Sequence, residues 1–151
     1  MSREKERIRK RLEKNPIAEC NKIQRRFIPE LFSMFDEVAD PRHQSYIKYD
    51  TREMLGTMYY KCIGGISSMQ GMTREFNNDN VVNNLYSFMN RTVKDFLPHG
   101  VTENDFFEKL NPKELEKIQQ DIVYSMIRRR TFDDARVFKR WNIIVDATEL
   151  D

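Results

Sequence analysis

Apolar residues recur at three- and four-residue spacing along most of this chain, the pattern of helices that each bury one face. The first long run is Ile17, Cys20, Ile23, Phe27, Ile28, Leu31, Met34, Phe35 and Val38. Pro29 falls inside it, removing a backbone donor and disfavouring helix in the residue before it, so the pattern predicts two helices or a kink there. After the Asp40-Pro41-Arg42 turn, Asp50-Thr51-Arg52-Glu53 has the spacing of a reciprocal helix cap. The helix it opens carries Met54, Leu55, Met58, Tyr59, Cys62, Ile63 and Ile66 in register, and Gly64-Gly65 marks either its end or a close packing contact. Residues 67–80 are rich in Ser, Gly, Asn and Asp and read as a connection, with at most a helical turn near residues 73–76. Helical spacing returns at Val81, Val82, Leu85, Tyr86 and Met89. A short helix capped near Thr102 buries Phe106, Phe107 and Leu110.

Asn111-Pro112-Lys113-Glu114 is the clearest helix start, with a capping Asn, Pro at the first helical position and an acid in the first turn. Its helix carries Leu115, Ile118, Ile122, Val123, Met126 and Ile127 and is expected to end near Arg130. Trp141 to Thr148 changes character, with β-branched and aromatic residues in a short run that reads as one strand. A strand needs a neighbour for its backbone, and no second one is evident upstream, so the chain is expected to be cut off. The fold class that emerges is mainly α, with a single terminal strand.

At 151 residues the chain suffices for one modest domain. Charged residues make up 33%, and the apolar runs are too short for a bilayer span or a secretory signal; a cytoplasmic protein is expected. Cys20 and Cys62 have the spacing of neither a disulfide framework nor a zinc knuckle and are expected to be reduced core residues. Net charge is only +2, yet residues 1–30 hold ten Lys/Arg against five Asp/Glu, and Arg128-Arg129-Arg130 forms a second cluster. Residues 2–14 offer only Ile8 and Leu12 for burial and read either as a solvated, frayed terminal helix or as a basic arm that lies along DNA phosphates.

Small-molecule chemistry finds little support. No glycine-rich phosphate loop is present, and His43 and His99 have no flanking carboxylate or cysteine at ligand spacing. His99 is expected to hydrogen-bond locally within its turn. Ser67 and Ser68 do not sit in a nucleophile-elbow order, so a hydrolase is not indicated.

Several of these residues form an ordered set. Leu97-Pro98-His99, Thr102, Asn104-Asp105-Phe106, Leu110-Asn111-Pro112, Leu115, Ile118, Arg128-Arg129-Arg130 and Ile144-Val145-Asp146-Ala147-Thr148-Glu149-Leu150, with Asp40-Pro41-Arg42 ahead of them, resemble the amino-terminal third of bacterial insertion-sequence transposases of the DDE type. The resemblance covers roughly residues 27–151. It implies a helical front region (16–138) behind the basic arm (1–15), then the first strand (139–151) of a truncated RNase H-like catalytic domain. It implies that Asp146, at the end of that strand, is the first of three catalytic, metal-binding carboxylates. Such enzymes use Mg2+ to cleave and join DNA. Glu149 and Asp151 lie too close in sequence to Asp146 to be its partners, so this chain alone is expected to bind no Mg2+ and to be inactive. Ala147 stands where the family usually has Gly, adding a methyl at a point of close backbone approach.

Two functions from different classes follow. In the first, a transposase amino-terminal region contacts the DNA of element ends through Lys22, Arg25, Arg26, Arg128, Arg129 and Arg130, with self-association as a possible addition and neither a membrane nor a small-molecule substrate as partner. In the second, a helical protein-interaction module carries the same basic groups only as solvated helix faces.

Overall fold

Asp50 and Glu53 start the central helix as their spacing predicts: the Glu53 amide donates to Asp50 Oδ1 and the Asp50 amide to Glu53 Oε2, each at 2.8 Å. The structure, a computed structural model, describes residues 16–136 and Arg140. Within them are α1 (Pro16–Phe27), α2 (Leu31–Asp36), α3 (Thr51–Ile63), α4 (Met69–Phe76), α5 (Asp79–Met89), α6 (Gly100–Lys109) and α7 (Pro112–Arg128), with short 3-10 turns at Gln44–Tyr46 and Asp133–Ala135. The segments expected to form a basic arm and a terminal strand, Asp146 among them, lie outside the described residues apart from Arg140.

Helix α3 is the axis of the fold, touching α1, α2, α5 and α6. Every residue from Thr51 to Thr57 is buried, so this helix has no solvent face over two turns. Against it pack Leu31, Phe32 and Phe35 of α2 and Val82, Leu85, Tyr86 and Met89 of α5. The Phe32 ring meets Phe35 edge-on at 5.8 Å and Tyr60 at 6.1 Å, and Tyr60 meets Phe88 at 5.9 Å. The Tyr60 hydroxyl, fully buried, donates to Asn21 Oδ1 at 3.1 Å, which ties α1 to this cluster.

Helix ends follow local chemistry. Pro29 separates α1 from α2, and Gln24 Nε2 donates to the Ile28 carbonyl at 2.6 Å, satisfying an acceptor near the break. Gly64-Gly65 proves to be a helix end: Gly65 takes φ 67°, with Ile66 N–H bonded to Lys61 O and Gly65 N–H to Cys62 O. Asn111 Oδ1 accepts from Lys113 N–H at 3.1 Å ahead of Pro112, as its sequence predicts.

Four expectations need correction. Residues 69–76 form a true helix, α4, because Ser68 Oγ caps Gly71 N–H at 2.9 Å and Met72 and Phe76 reach the core. Helix α6 starts at Gly100 rather than near Thr102, with His99 in the capping position but its side chain making no cap bond. Cys62 is exposed and Cys20 half-buried, both free, so they are not core residues. Along α7 only Ile118 is fully buried, whereas Leu115, Val123 and Ile127 stand in solvent. Among the described residues no strand occurs, and no helix is long and apolar enough to cross a membrane.

The residues behind the transposase resemblance have structural work here. Leu97 and Pro98 are buried. Phe106 and Leu110 are core, and Asn111 is a cap.

Candidate nucleic-acid interface

The ionic side chains divide into internal struts and a surface group. In the first, the Arg52 guanidinium spans both oxygens of Asp36 and donates to the Met89 carbonyl at 3.1 Å. Arg91 joins Asp36 (2.6 Å) to Asp50 (2.8 Å), and Lys94 Nζ donates to Glu53 Oε2 at 2.6 Å and to Lys48 O at 2.9 Å. Arg42 grips Asp40 with two side-chain bonds of 2.9 and 2.7 Å, donates to Tyr49 O at 2.6 Å, and lies 5.0 Å from the Phe106 ring centre. Burial works to raise the Asp40 carboxyl, but the Arg42 bonds prevail and hold it below its ordinary range. These cations are engaged in holding helices together and are not offered to a ligand.

The surface group comprises the residues the sequence marked. Lys22, Arg25 and Arg26 project from α1, all exposed. Lys22 pairs with Glu19 at 2.9 Å in a solvated i,i+3 contact that contributes little, and the Arg26 guanidinium lies 5.2 Å from the Phe27 ring centre. Arg128, Arg129 and Arg130 close α7, again exposed. The second cluster makes a long-range contact, to the residue that caps α2. Glu30, four residues beyond Arg26, accepts from Arg129 and from Ser125 Oγ, the latter at 3.4 Å. Its own backbone amide, then Arg129 and Ser125, hold the Glu30 carboxyl below its ordinary range against the opposing effect of burial. This contact joins the start of α2 to the end of α7, a link invisible in a sequence where its partners stand 99 positions apart.

Arg130 has a second peculiarity. It takes φ 56°, the left-handed position that ends α7, with Arg130 N–H bonded to Ile127 O and Thr131 N–H to Met126 O, each at 3.0 Å. Glycine is the usual occupant of that place, and an L side chain there costs about 1 kcal/mol or more. Arg130→Gly is therefore expected to raise the unfolding free energy by up to about 1 kcal/mol, read from a urea melt. An unchanged or lowered midpoint would remove the strain from this account.

Sequence reasoning missed Tyr124, which is 62% exposed on α7, and Glu103, which is fully buried on α6. A groove of about 500 Å3 runs past Ile17, Gly64, Gly65, Ser68, Arg74 and Phe76, but Ser68 is occupied in capping and Arg74 faces Glu75 at 3.2 Å. No group of three His, Cys, Asp or Glu is placed to hold a metal ion among the described residues, and Asp146 lies outside them. Comparison of the chain with protein-family models, curated proteins and solved structures finds no match.

Proposed function

We propose that residues 16–136 are the helical, DNA-contacting front region of a DDE-type transposase. The observation that carries the DNA part is the exposure of both basic clusters, Lys22, Arg25 and Arg26 on α1 and Arg128, Arg129 and Arg130 at the end of α7, the second within a stretch, residues 122–132, that holds no carboxylate. The transposase part rests on the ordered Leu97-to-Ile118 set and on the Asp146 segment. Arg130 adds support, since a cation kept at a backbone position suited to glycine gives up local stability for charge.

Binding through these clusters should be largely sequence-tolerant and sensitive to salt, because each neutralised phosphate releases counterions and contributes about −0.9 to the slope of log K against log salt. Replacing Arg128, Arg129 and Arg130 with Gln is expected to reduce that slope by up to about 3 while leaving helix content nearly unchanged. Fluorescence anisotropy over a salt series reads this directly; equal slopes for wild type and triple variant would take these arginines off the DNA surface.

One observation favours the interaction-module reading, namely the bare apolar flank of α7 at Val123, Tyr124 and Ile127. Under that reading the protein shows no DNA binding at low salt and associates through an interface that salt does not weaken.

A further inference from the structure

Residues 122–132, Ile-Val-Tyr-Ser-Met-Ile-Arg-Arg-Arg-Thr-Phe, contain three cations and no carboxylate. Helix α7 turns only part of this stretch inward: Ile122 packs against the core and Ser125 faces Glu30. On the other side Val123 is 45% exposed, Tyr124 62% and Ile127 37%. Val123 and Ile127 are neighbours at i,i+4, and so are Tyr124 and Arg128, so an aromatic ring, aliphatic side chains and a guanidinium share one continuous strip of surface.

Intact duplex DNA matches only half of that strip. It presents phosphates to the arginines, but its base faces are hidden in the stack and its groove edges are polar apart from the thymine methyl, so an aromatic ring finds no face to stack on. An unpaired strand supplies both halves, offering phosphates to cations and bare base faces to an aromatic ring. A protein partner would fit the apolar half yet would have to furnish acids for Arg128 and Arg130, Arg129 being paired with Glu30.

We infer that the carboxyl end of α7 receives unpaired bases, with Tyr124 as the stacking platform and Arg128 and Arg130 as phosphate contacts. The substrate class is thus single-stranded or frayed DNA rather than closed duplex. This inference rests on the DNA-contact reading above and narrows it.

The test uses the full chain with a labelled oligothymidylate and a labelled duplex of equal length, both at low salt. Wild type binds the single strand more tightly. Tyr124→Ala weakens single-strand binding by roughly fivefold to a hundredfold, the range for loss of one base–aromatic stack, and changes duplex binding little. Tyr124→Phe keeps the ring and restores single-strand binding. Because Tyr124 is exposed, neither variant is expected to unfold, and circular dichroism checks this. Tighter binding to duplex, or an equal response of both DNAs to Tyr124→Ala, overturns the inference. Binding that depends on the arginines but not on Tyr124 does so while leaving DNA contact standing. Failure to bind either DNA removes both readings, and a wild-type dimer that Tyr124→Ala dissociates assigns the strip to a second copy instead.

Discussion

Replacing Glu103 with Gln is expected to stabilise this protein at pH 7 by about 3 kcal/mol, because the native fold holds that carboxyl away from water with no hydrogen-bond partner for either oxygen among the described residues. Burial pushes Glu103 up to about 9, with Arg42 pulling weakly the other way. In the unfolded chain the group titrates near its ordinary 4.5. The folded pKa is thus the higher one, so the native state holds the proton over a range where the unfolded state has released it. Stability is complete below about pH 4.5 and falls as pH rises toward 9, by about 1.4 kcal/mol per pH unit in between. Gln has nearly the same shape and no proton to take up, so its variant should lack this slope and match wild type only in acid. Urea melts at several pH values read the difference. Parallel pH profiles for the two proteins would mean that Glu103 ionises in place and that its burial has been misjudged.

Gly100→Ala should act in the opposite direction, destabilising by about 1–3 kcal/mol through overpacking. A Cβ at this position would stand 2.8 Å from the Met69 carbonyl oxygen and 2.9 Å from Met69 Cβ. Backbone cannot swing aside as a side-chain tip does, so α4 and α6 must separate. That movement also strains the Gly100 N–H bond to Thr73 Oγ1, now 3.1 Å. The alanine's better helix propensity offsets only part of this. Gly65→Ala is the informative companion: nothing lies within 4 Å of its Cβ position, so only the positive φ costs anything, about 1 kcal/mol. A Gly100→Ala midpoint equal to wild type would show that the two helices are not in contact as described.

What the sequence made legible was local. The Asp50/Glu53 cap, the break at Pro29 and the Asn111-Pro112 start each depend on residues within four positions of one another, and each is found in the fold. Helix α4 was hidden because Ser, Gly and Asn at 67–80 favour loops by composition, whereas two core side chains and one serine cap are enough to make a helix. Glu103 was hidden for a tertiary reason: Thr-Glu-Asn-Asp reads as a cap until α3 and α4 are found packed against α6. Of the candidate site, the charge runs on α1 and α7 were readable, but the contact between Glu30 at the start of α2 and Arg129 was not, since it is tertiary. The regular spacing along α7 marked a helix correctly yet overstated its burial, because periodicity reports a face and not what covers it.

The struts around the first turn of α3 bear on the order in which the chain is made. Glu53 is buried to within 1% of complete, and the cation that neutralises it is Lys94; Asp36 likewise draws one of its two arginines from position 91. A growing polypeptide that has emerged only as far as α4 possesses Asp36, Arg52, Asp50 and Glu53 but neither Arg91 nor Lys94. Closing the core at that stage would leave the Glu53 carboxylate with the Asp50 amide but no cation to neutralise it. Synthesis therefore has to carry the 90–94 segment clear of the ribosome before α2, α3 and α5 can lock as a unit, and native folding of this region during translation should begin late and proceed in one step.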